Sequence, residues 1–166
     1  IVRKTMASLR VDTTRRYSPA HQQLVQEFLL HHELPPLVAS LYQNLPEILK
    51  DSPGLFLINA WDQGGNLTAF FAVDQSAKNF DTYVIGCYSR DNYFPHASDR
   101  LFWEMIELAC KSGKMAIQLG LGVNEGIRRY KEKWGGLPFL DYQAWEIHYG
   151  STSQQGLMSW VSEGKW

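Results

Sequence analysis

No run in this chain stays apolar for the roughly 18 residues that a membrane span needs, and no signal-peptide pattern opens it. Cysteine is scarce. Cys87 and Cys110 are the only two, one in an expected strand and one in an expected helix. Neither sits in a cluster with zinc-ligand spacing, so both are expected to be buried, reduced thiols, and no metal is expected. A dominant charge sign is also missing. The 166 residues carry a net charge of −1, which excludes a global basic field for DNA and an acidic tail. There is no internal repeat and no low-complexity tract. These absences leave a cytoplasmic globular protein as the expectation, long enough for one domain with a real core. The first residue is Ile1 rather than Met, so one domain of a longer parent is a further expectation.

What the chain does have is one dense stretch, Ile117 to Phe139, reading IQLGLGVNEGIRRYKEKWGGLPF. An apolar run ends in the turn Gly120-Leu121-Gly122. A helix of about three turns is expected from Asn124 to Trp134, closed by Gly135-Gly136 and Pro138. A helix N-terminus leaves backbone N–H groups unpaired and favours anions, so the turn is where chemistry is expected.

The rest of the chain surrounds that stretch. Ile1, Ala7, Leu9 and Val11 share one parity and predict a strand within 1–12. Ser18-Pro19 reads as an N-cap with proline at the first helical position, opening a helix over 19–31 with the stripe Leu24, Val25, Phe28 and Leu29. His31-His32 ends it, where imidazole complements the helix dipole. Adjacent helical side chains point about 100° apart, which disfavours a shared metal. A second helix is expected over 36–50, interrupted near Pro46. Leu55–Trp61 and Leu67–Val73 form a hairpin, and Phe80–Tyr88 extends it to an antiparallel meander. Gly86 inside the third run predicts a bulge or a close approach.

A loop, Ser89 to Ala97, leads to Ser98 as N-cap of a helix over 99–112, whose outer face pairs Arg100 with Glu104 and Glu107 with Lys111. Met115–Leu119 is expected as a short buried strand and Asp141–Tyr149 as the last one. The expected architecture is α+β: a mixed central sheet, an antiparallel meander followed by strand–helix–strand, with helices on both faces. Residues 1–149 are read as one domain and 150–166 as a polar tail, flexible or docking.

Three chemistries compete for the dense stretch. Gly120-x-Gly122-x-x-x-Gly126 has one residue too many for a dinucleotide fingerprint, and hairpins precede it. The second is acyl transfer. The strand order resembles the GNAT acyltransferase fold, and Asn124 … Gly135 resembles the last conserved helix of that superfamily, with an Asn opening it and a Gly ending it eleven residues later. Acetyl-CoA users usually place a tyrosine general acid four residues before that Gly. Here the position is Lys131, and Tyr130 stands one residue earlier. Tyr130-Lys131 followed by Trp134-Gly135-Gly136 resembles the FemAB group, the peptidoglycan-bridge aminoacyltransferases, which share the fold and take the acyl group from aminoacyl-tRNA. The resemblance covers roughly 55–149 and is specific in 120–139.

It implies Lys131 and Tyr130 as catalytic residues, and Gly86, Gly120, Gly122, Asn124, Gly126 and Arg128 around the donor. It implies an amine acceptor, and a CoA thioester or an aminoacyl-tRNA as donor. A second GNAT-like domain or a homodimer is its expected assembly. The sequence departs from acetyl-CoA users in one loop. Theirs is Arg/Gln-x-x-Gly-x-Gly/Ala, whereas Ser89 to Ser98 contains no glycine. The backbone cradle for a pyrophosphate is therefore not expected in its usual form. The third chemistry is none, a GNAT-like half that serves as a binding or scaffold domain.

The residues themselves support parts of this. Lys131 lies on the flank of the stripe Ile127, Tyr130 and Trp134, where desolvation lowers a lysine pKa. Asn124 also reads as a plain N-cap and Tyr130 as a core aromatic. Arg128, Arg129 and Lys133, interleaved with Glu125 and Glu132, read as an ion-paired face or as a phosphate footprint. Backbone N–H groups beside Gly86 would serve an oxyanion if the strand bulges there. His96 and His148 are candidate bases for the amine.

Overall fold

The computed structural model describes residues 8–120 and 125–138. The chain divides into units Ile1–Gly136 and Leu137–Trp166, and the architecture below is that of the first. The expected strand over 141–149 and the tail from Gly150 lie outside the described residues.

The element order is β1 (Arg10–Thr14), α1 (Pro19–His31), α2 (Pro36–Gln43), α3 (Leu45–Asp51), β2 (Leu55–Trp61), β3 (Leu67–Asp74), β4 (Phe80–Tyr88), α4 (Ala97–Lys111), β5 (Ala116–Gln118) and α5 (Glu125–Lys133). The five strands form one sheet in sequence order. All neighbours are antiparallel except β4 and β5, which run parallel. Among the described residues no helix is long and apolar enough to cross a membrane.

Strand periodicity splits the core in two. Phe70 and Ala72 of β3 face one cluster, with Leu24 and Phe28 of α1, Tyr42 of α2 and Leu45 and Leu49 of α3. Ala69, Phe71 and Val73 face the other, with Leu101, Phe102 and Met105 of α4. β3 is covered on both faces, so Leu67 to Val73 is buried throughout. Each large side chain buried this way contributes roughly 1.5–3 kcal/mol.

Several boundaries differ from the sequence expectation. β1 runs Arg10–Thr14, later than 1–12. The helix over 36–50 is interrupted as expected: it breaks at Asn44, and Pro46 lies in the first turn of α3. α4 begins at Ala97, ahead of Ser98, with His96 as N-cap at φ 66°. Met115–Leu119 is not buried: only Ala116–Gln118 pairs, and Ala116 and Gln118 are exposed. Cys87 is buried as expected, but Cys110 is exposed.

The parallel joint sets the shape of the sheet. Pairing runs Phe80↔Ala116, Asp81↔Ile117 and Thr82↔Gln118, then stops. Lys114, almost buried, pins the joint. Its Nζ donates to the carbonyls of Gln75 (3.0 Å) and Ala77 and stands 3.5 Å from Asp81. Past Thr82, β4 continues for six residues, Tyr83 to Tyr88, with no β5 partner.

A second polar tie holds α1 to the sheet. His21, 1% exposed, accepts at Nδ1 from the Ser18 N–H (3.1 Å) and faces the Ser18 hydroxyl (2.7 Å). Its Nε2 donates to Asn59 Oδ1 (3.0 Å), and Asn59 Nδ2 donates to Asp12 (2.9 Å). Both nitrogens are used by the neutral ring, and a proton on Nδ1 would oppose the Ser18 N–H. Burial lowers the His21 pKa from 6.5, against the pull of Asn59 and Asp12. The unfolded chain therefore takes up the proton first as pH falls below about 6.5, and stability present above that pH is lost. The carboxylates with lowered values, Glu27, Asp62 and Asp99, act only from about pH 4 downward. Urea unfolding midpoints should fall between pH 7.5 and 5.5. His21→Gln should lower the midpoint at pH 7.5 and flatten that slope; an unchanged slope would contradict the assignment.

Candidate functional site

Past the joint, β5 runs into the turn that carries Gly120. Its φ is +67°, a left-handed conformation that favours glycine, and its N–H donates to Gln118 Oε1 (3.1 Å). A Cβ on Gly120 would stand 4.0 Å from Lys131 Nζ. The lysine thus reaches back along α5 to the turn two residues beyond the last β4–β5 pair. It is half-buried, and this desolvation lowers its pKa. Gly122 and Asn124 lie outside the described residues. Gly126 is exposed in the first turn of α5.

The helix stop follows a known backbone pattern. The Gly136 N–H donates to the Lys131 carbonyl (2.9 Å) and the Gly135 N–H to Glu132 (2.9 Å), with Gly135 at φ +81°. These are the paired bonds of a Schellman motif. A Cβ on Gly136 would press to 2.9 Å on the Lys131 carbonyl oxygen, so both glycines are required by geometry.

No residue of α5 is fully buried, so its placement depends on a few contacts. Trp134 stacks on Phe102 (5.0 Å, 21°), and Tyr130 meets Phe102 edge-on (5.7 Å). The Asp99 carboxylate, at the start of α4, receives Lys133 Nζ (2.8 and 2.9 Å) and the Trp134 indole N–H (3.2 Å), and His96 lies 3.1 Å away. Burial opposes ionisation of Asp99, but the bonds from Lys133 and His96 overcome it and hold its carboxyl below the usual range. Tyr130 is a core aromatic. Its hydroxyl is buried with no well-formed hydrogen bond among the described residues, although Asp99 and Trp134 are near enough to influence it, and burial raises its pKa strongly. A phenol so placed gives up its proton less readily than a free tyrosine.

Three cations of α5 face a carboxylate. Arg128 stands 3.8 Å from Glu132, Arg129 pairs with Glu125, and Lys133 holds Asp99. The geometry is that of an ion-paired face.

Gly86 is required by packing. A Cβ there would collide with the Tyr83 hydroxyl and stand 3.0 Å from the Phe71 ring. Its carbonyl accepts from the Tyr42 hydroxyl (2.9 Å). The expected bulge exists two residues earlier: Ala72 pairs Ile85 and Val73 pairs Tyr83, leaving Val84 extra.

The glycine-free loop is tied from within. Glu27 of α1 accepts from the N–H of Arg90, the N–H of Asp91 (3.1 Å) and the Ser89 hydroxyl (2.9 Å). Burial disfavours its charge, yet these donors keep its carboxyl below the usual range. Two loop N–H groups are thus taken by the chain's own carboxylate, and His96 adopts a left-handed conformation more natural to glycine. Glu27, His31 and Asp91 bring ligand-type atoms within 4.8 Å of one another; Glu27 is already committed to the loop. Nothing local in the sequence marks Glu27 and Asp99, because the partners that define them lie 34 to 64 residues away.

No family model matches the chain, and no curated protein matches it by sequence. Solved structures do match. A Trypanosoma brucei acetyltransferase superposes at TM-score 0.59 with 12% identity, covering 84% of this chain and 99% of that one. A ribosomal-protein-alanine N-acetyltransferase from Brucella melitensis biovar Abortus gives 0.60 at 13% identity, over 84% and 99%. An aminoglycoside acetyltransferase from an uncultured soil metagenomic sample, in complex with sisomicin, gives 0.58 at 10% identity, over 87% and 97%. The fold is that of the GNAT acetyltransferases. In this GNAT fold the meander of β2, β3 and β4 and the helix α5 occupy the places the sequence order anticipated, and the parallel pairing of β4 with β5 is added by the structure.

Asp99→Asn should weaken the clasp between α4 and α5 by about 1–2 kcal/mol, since Lys133 is half-exposed and screened. Amide exchange in 125–133 should then speed up roughly tenfold, with exchange in α1 unchanged. Equal exchange in both proteins would show that the aromatic stack alone holds α5.

Proposed function

We propose that this domain is an N-acyltransferase, moving an acyl or aminoacyl group from an activated donor to an amine by direct attack. The observation that carries the reading is Lys131, half-buried with a lowered pKa, beside the Gly120 turn at the point where β4 loses its partner. An ammonium there neutralises the oxyanion and supplies a proton to the leaving group. Structural neighbours with the same fold are named acetyltransferases, which supports acyl transfer to amines as the reaction class. Cys87 is no candidate for a covalent intermediate: it is buried, with burial raising its thiol pKa well above the usual range.

For the donor, a CoA thioester would place its acyl end at the open β4 edge, with Gly120, Gly122, Asn124, Gly126 and Arg128 around it. Its pyrophosphate would not find the usual glycine cradle, because Glu27 takes the N–H groups of Arg90 and Asp91. Lys131 in the tyrosine position resembles the FemAB group and favours aminoacyl-tRNA. The same Glu27 contact supports a second reading, a GNAT-like binding or scaffold domain without a donor.

Lys131→Met keeps the length and the packing of the side chain while removing its charge. Transfer from acetyl-CoA or from aminoacyl-tRNA should fall at least about a hundredfold, with the unfolding midpoint preserved. Retained turnover would remove Lys131 from the mechanism, and no turnover by the unaltered domain with either donor would favour the scaffold reading.

A further inference from the structure

We propose that Asp99 is the positioning residue for Lys131: the carboxylate at the start of α4 sets the register of α5 against α4 and so keeps the lysine at the Gly120 turn. The inference rests on the acyl-transfer reading and adds to it the group that aims its proton donor.

α5 is fastened by two kinds of contact. The first is apolar and falls on a single ring: Trp134 stacks on Phe102 at 5.0 Å, and Tyr130 meets it edge-on at 5.7 Å. Apolar burial is non-directional, so the stack chooses which face of α5 turns inward without fixing how far the helix slides or turns. The second kind is directional. Asp99 is 5% exposed, and both of its oxygens are engaged. Lys133 Nζ donates to each of them (2.8 and 2.9 Å), the Trp134 indole N–H donates to Oδ1 (3.2 Å), and His96 Nδ1 lies 3.1 Å from Oδ2.

These anchors follow Lys131 directly in the chain. The Lys131 carbonyl accepts from the N–H of Trp134 (3.0 Å) and of Gly136 (2.9 Å), so the turn that Asp99 holds is the turn that carries Lys131. At about 100° per residue, Lys131 and Lys133 leave the helix on nearly opposite sides. One is gripped from α4. The other reaches the Gly120 turn, where a Cβ on Gly120 would stand 4.0 Å from its Nζ. Asp99 is itself a fixed base. It sits in the first turn of α4, where a carboxylate suits the helix dipole, and α4 is seated in the core by Leu101, Phe102 and Met105.

A proton donor displaced by about 1 Å loses much of its effect. No bond forms or breaks at Asp99; it acts through the place it gives to Lys131.

The test sets Asp99→Asn and Lys133→Met beside the unaltered domain. Asparagine has one oxygen where the carboxylate has two, and its amide N–H groups oppose one of the donors. The first readout is the 13C titration of the Lys131 side chain in the whole domain, with the urea midpoint as the check on folding. Burial lowers the Lys131 pKa in the unaltered chain. Two effects of Asp99→Asn have opposite sign: losing a nearby negative charge lowers a lysine pKa, whereas a helix out of register returns Lys131 to water and raises it. The positioning role predicts a rise toward the exposed lysines. An unmoved or lower titration in a folded variant overturns it.

The second readout is transfer from acetyl-CoA or aminoacyl-tRNA to spermidine. In both variants kcat should fall about tenfold, with KM for the donor unchanged, and Lys133→Arg, which keeps the ion pair, should restore the rate. Folded variants that turn over at the unaltered rate overturn this inference alone. If Asp99→Asn does not fold, Lys133→Met and its Lys133→Arg rescue decide the matter. A domain inactive with both donors overturns the acyl-transfer reading, and the titration still decides whether Asp99 places Lys131.

Discussion

β4 and β5 pair over only three residues, and the rest of the molecule is arranged around where they part. Parallel pairing needs a crossover, here α4, and the chain fixes its return with one nearly buried ion pair. Lys114 and Asp81 are 3.5 Å apart, and Lys114 also satisfies two carbonyls from the β3–β4 connection. Breaking such a pair leaves a buried charge, at a cost of several kcal/mol, so the joint is a fixed point. Beyond it, among the described residues, β4 from Tyr83 to Tyr88 has no strand partner on its β5 side. An edge of this kind exposes backbone groups to a ligand, apart from the Gly86 carbonyl, which the Tyr42 hydroxyl already holds.

The two faces of the sheet then supply different chemistry to that edge. From the face of α1 and α2 come the stacked rings of His32, Phe28 and Tyr42, anchored on Gly86 and Tyr88. From the other side comes Lys131, on a helix that buries no residue completely. α5 is held by the Schellman stop, the Phe102 stack and the Asp99 clasp. Elements held by few contacts open at low cost, so α5 is the part of the fold best suited to move.

Much of this architecture is legible in local sequence. Ser18-Pro19 marks the start of α1, and the apolar runs mark β2, β3 and β4, because capping and side-chain alternation act over a few residues. Gly135-Gly136 likewise announces its own motif. What fails to show is whatever depends on distant partners. Met115–Leu119 looks buried by composition, yet the strand is a short one at the described sheet's edge, and Met115 is exposed. Ser98 has the chemistry of a cap, but backbone bonds to Phe94 and His96 start α4 earlier. The site shows the same division. Lys131 stands out by its place in a motif. Asp99 and Glu27 do not, since each acts through a residue 34 to 64 positions away.

The account turns on the desolvated ammonium of Lys131 at the edge of β4. The most direct measurement is a 13C NMR titration of lysine side chains in the whole domain, with Lys131 assigned by its loss in Lys131→Met. The account predicts that Lys131 titrates at lower pH than the exposed lysines and that its signal moves when an acyl donor is added. A Lys131 that titrates with the other lysines and ignores both donors would contradict it.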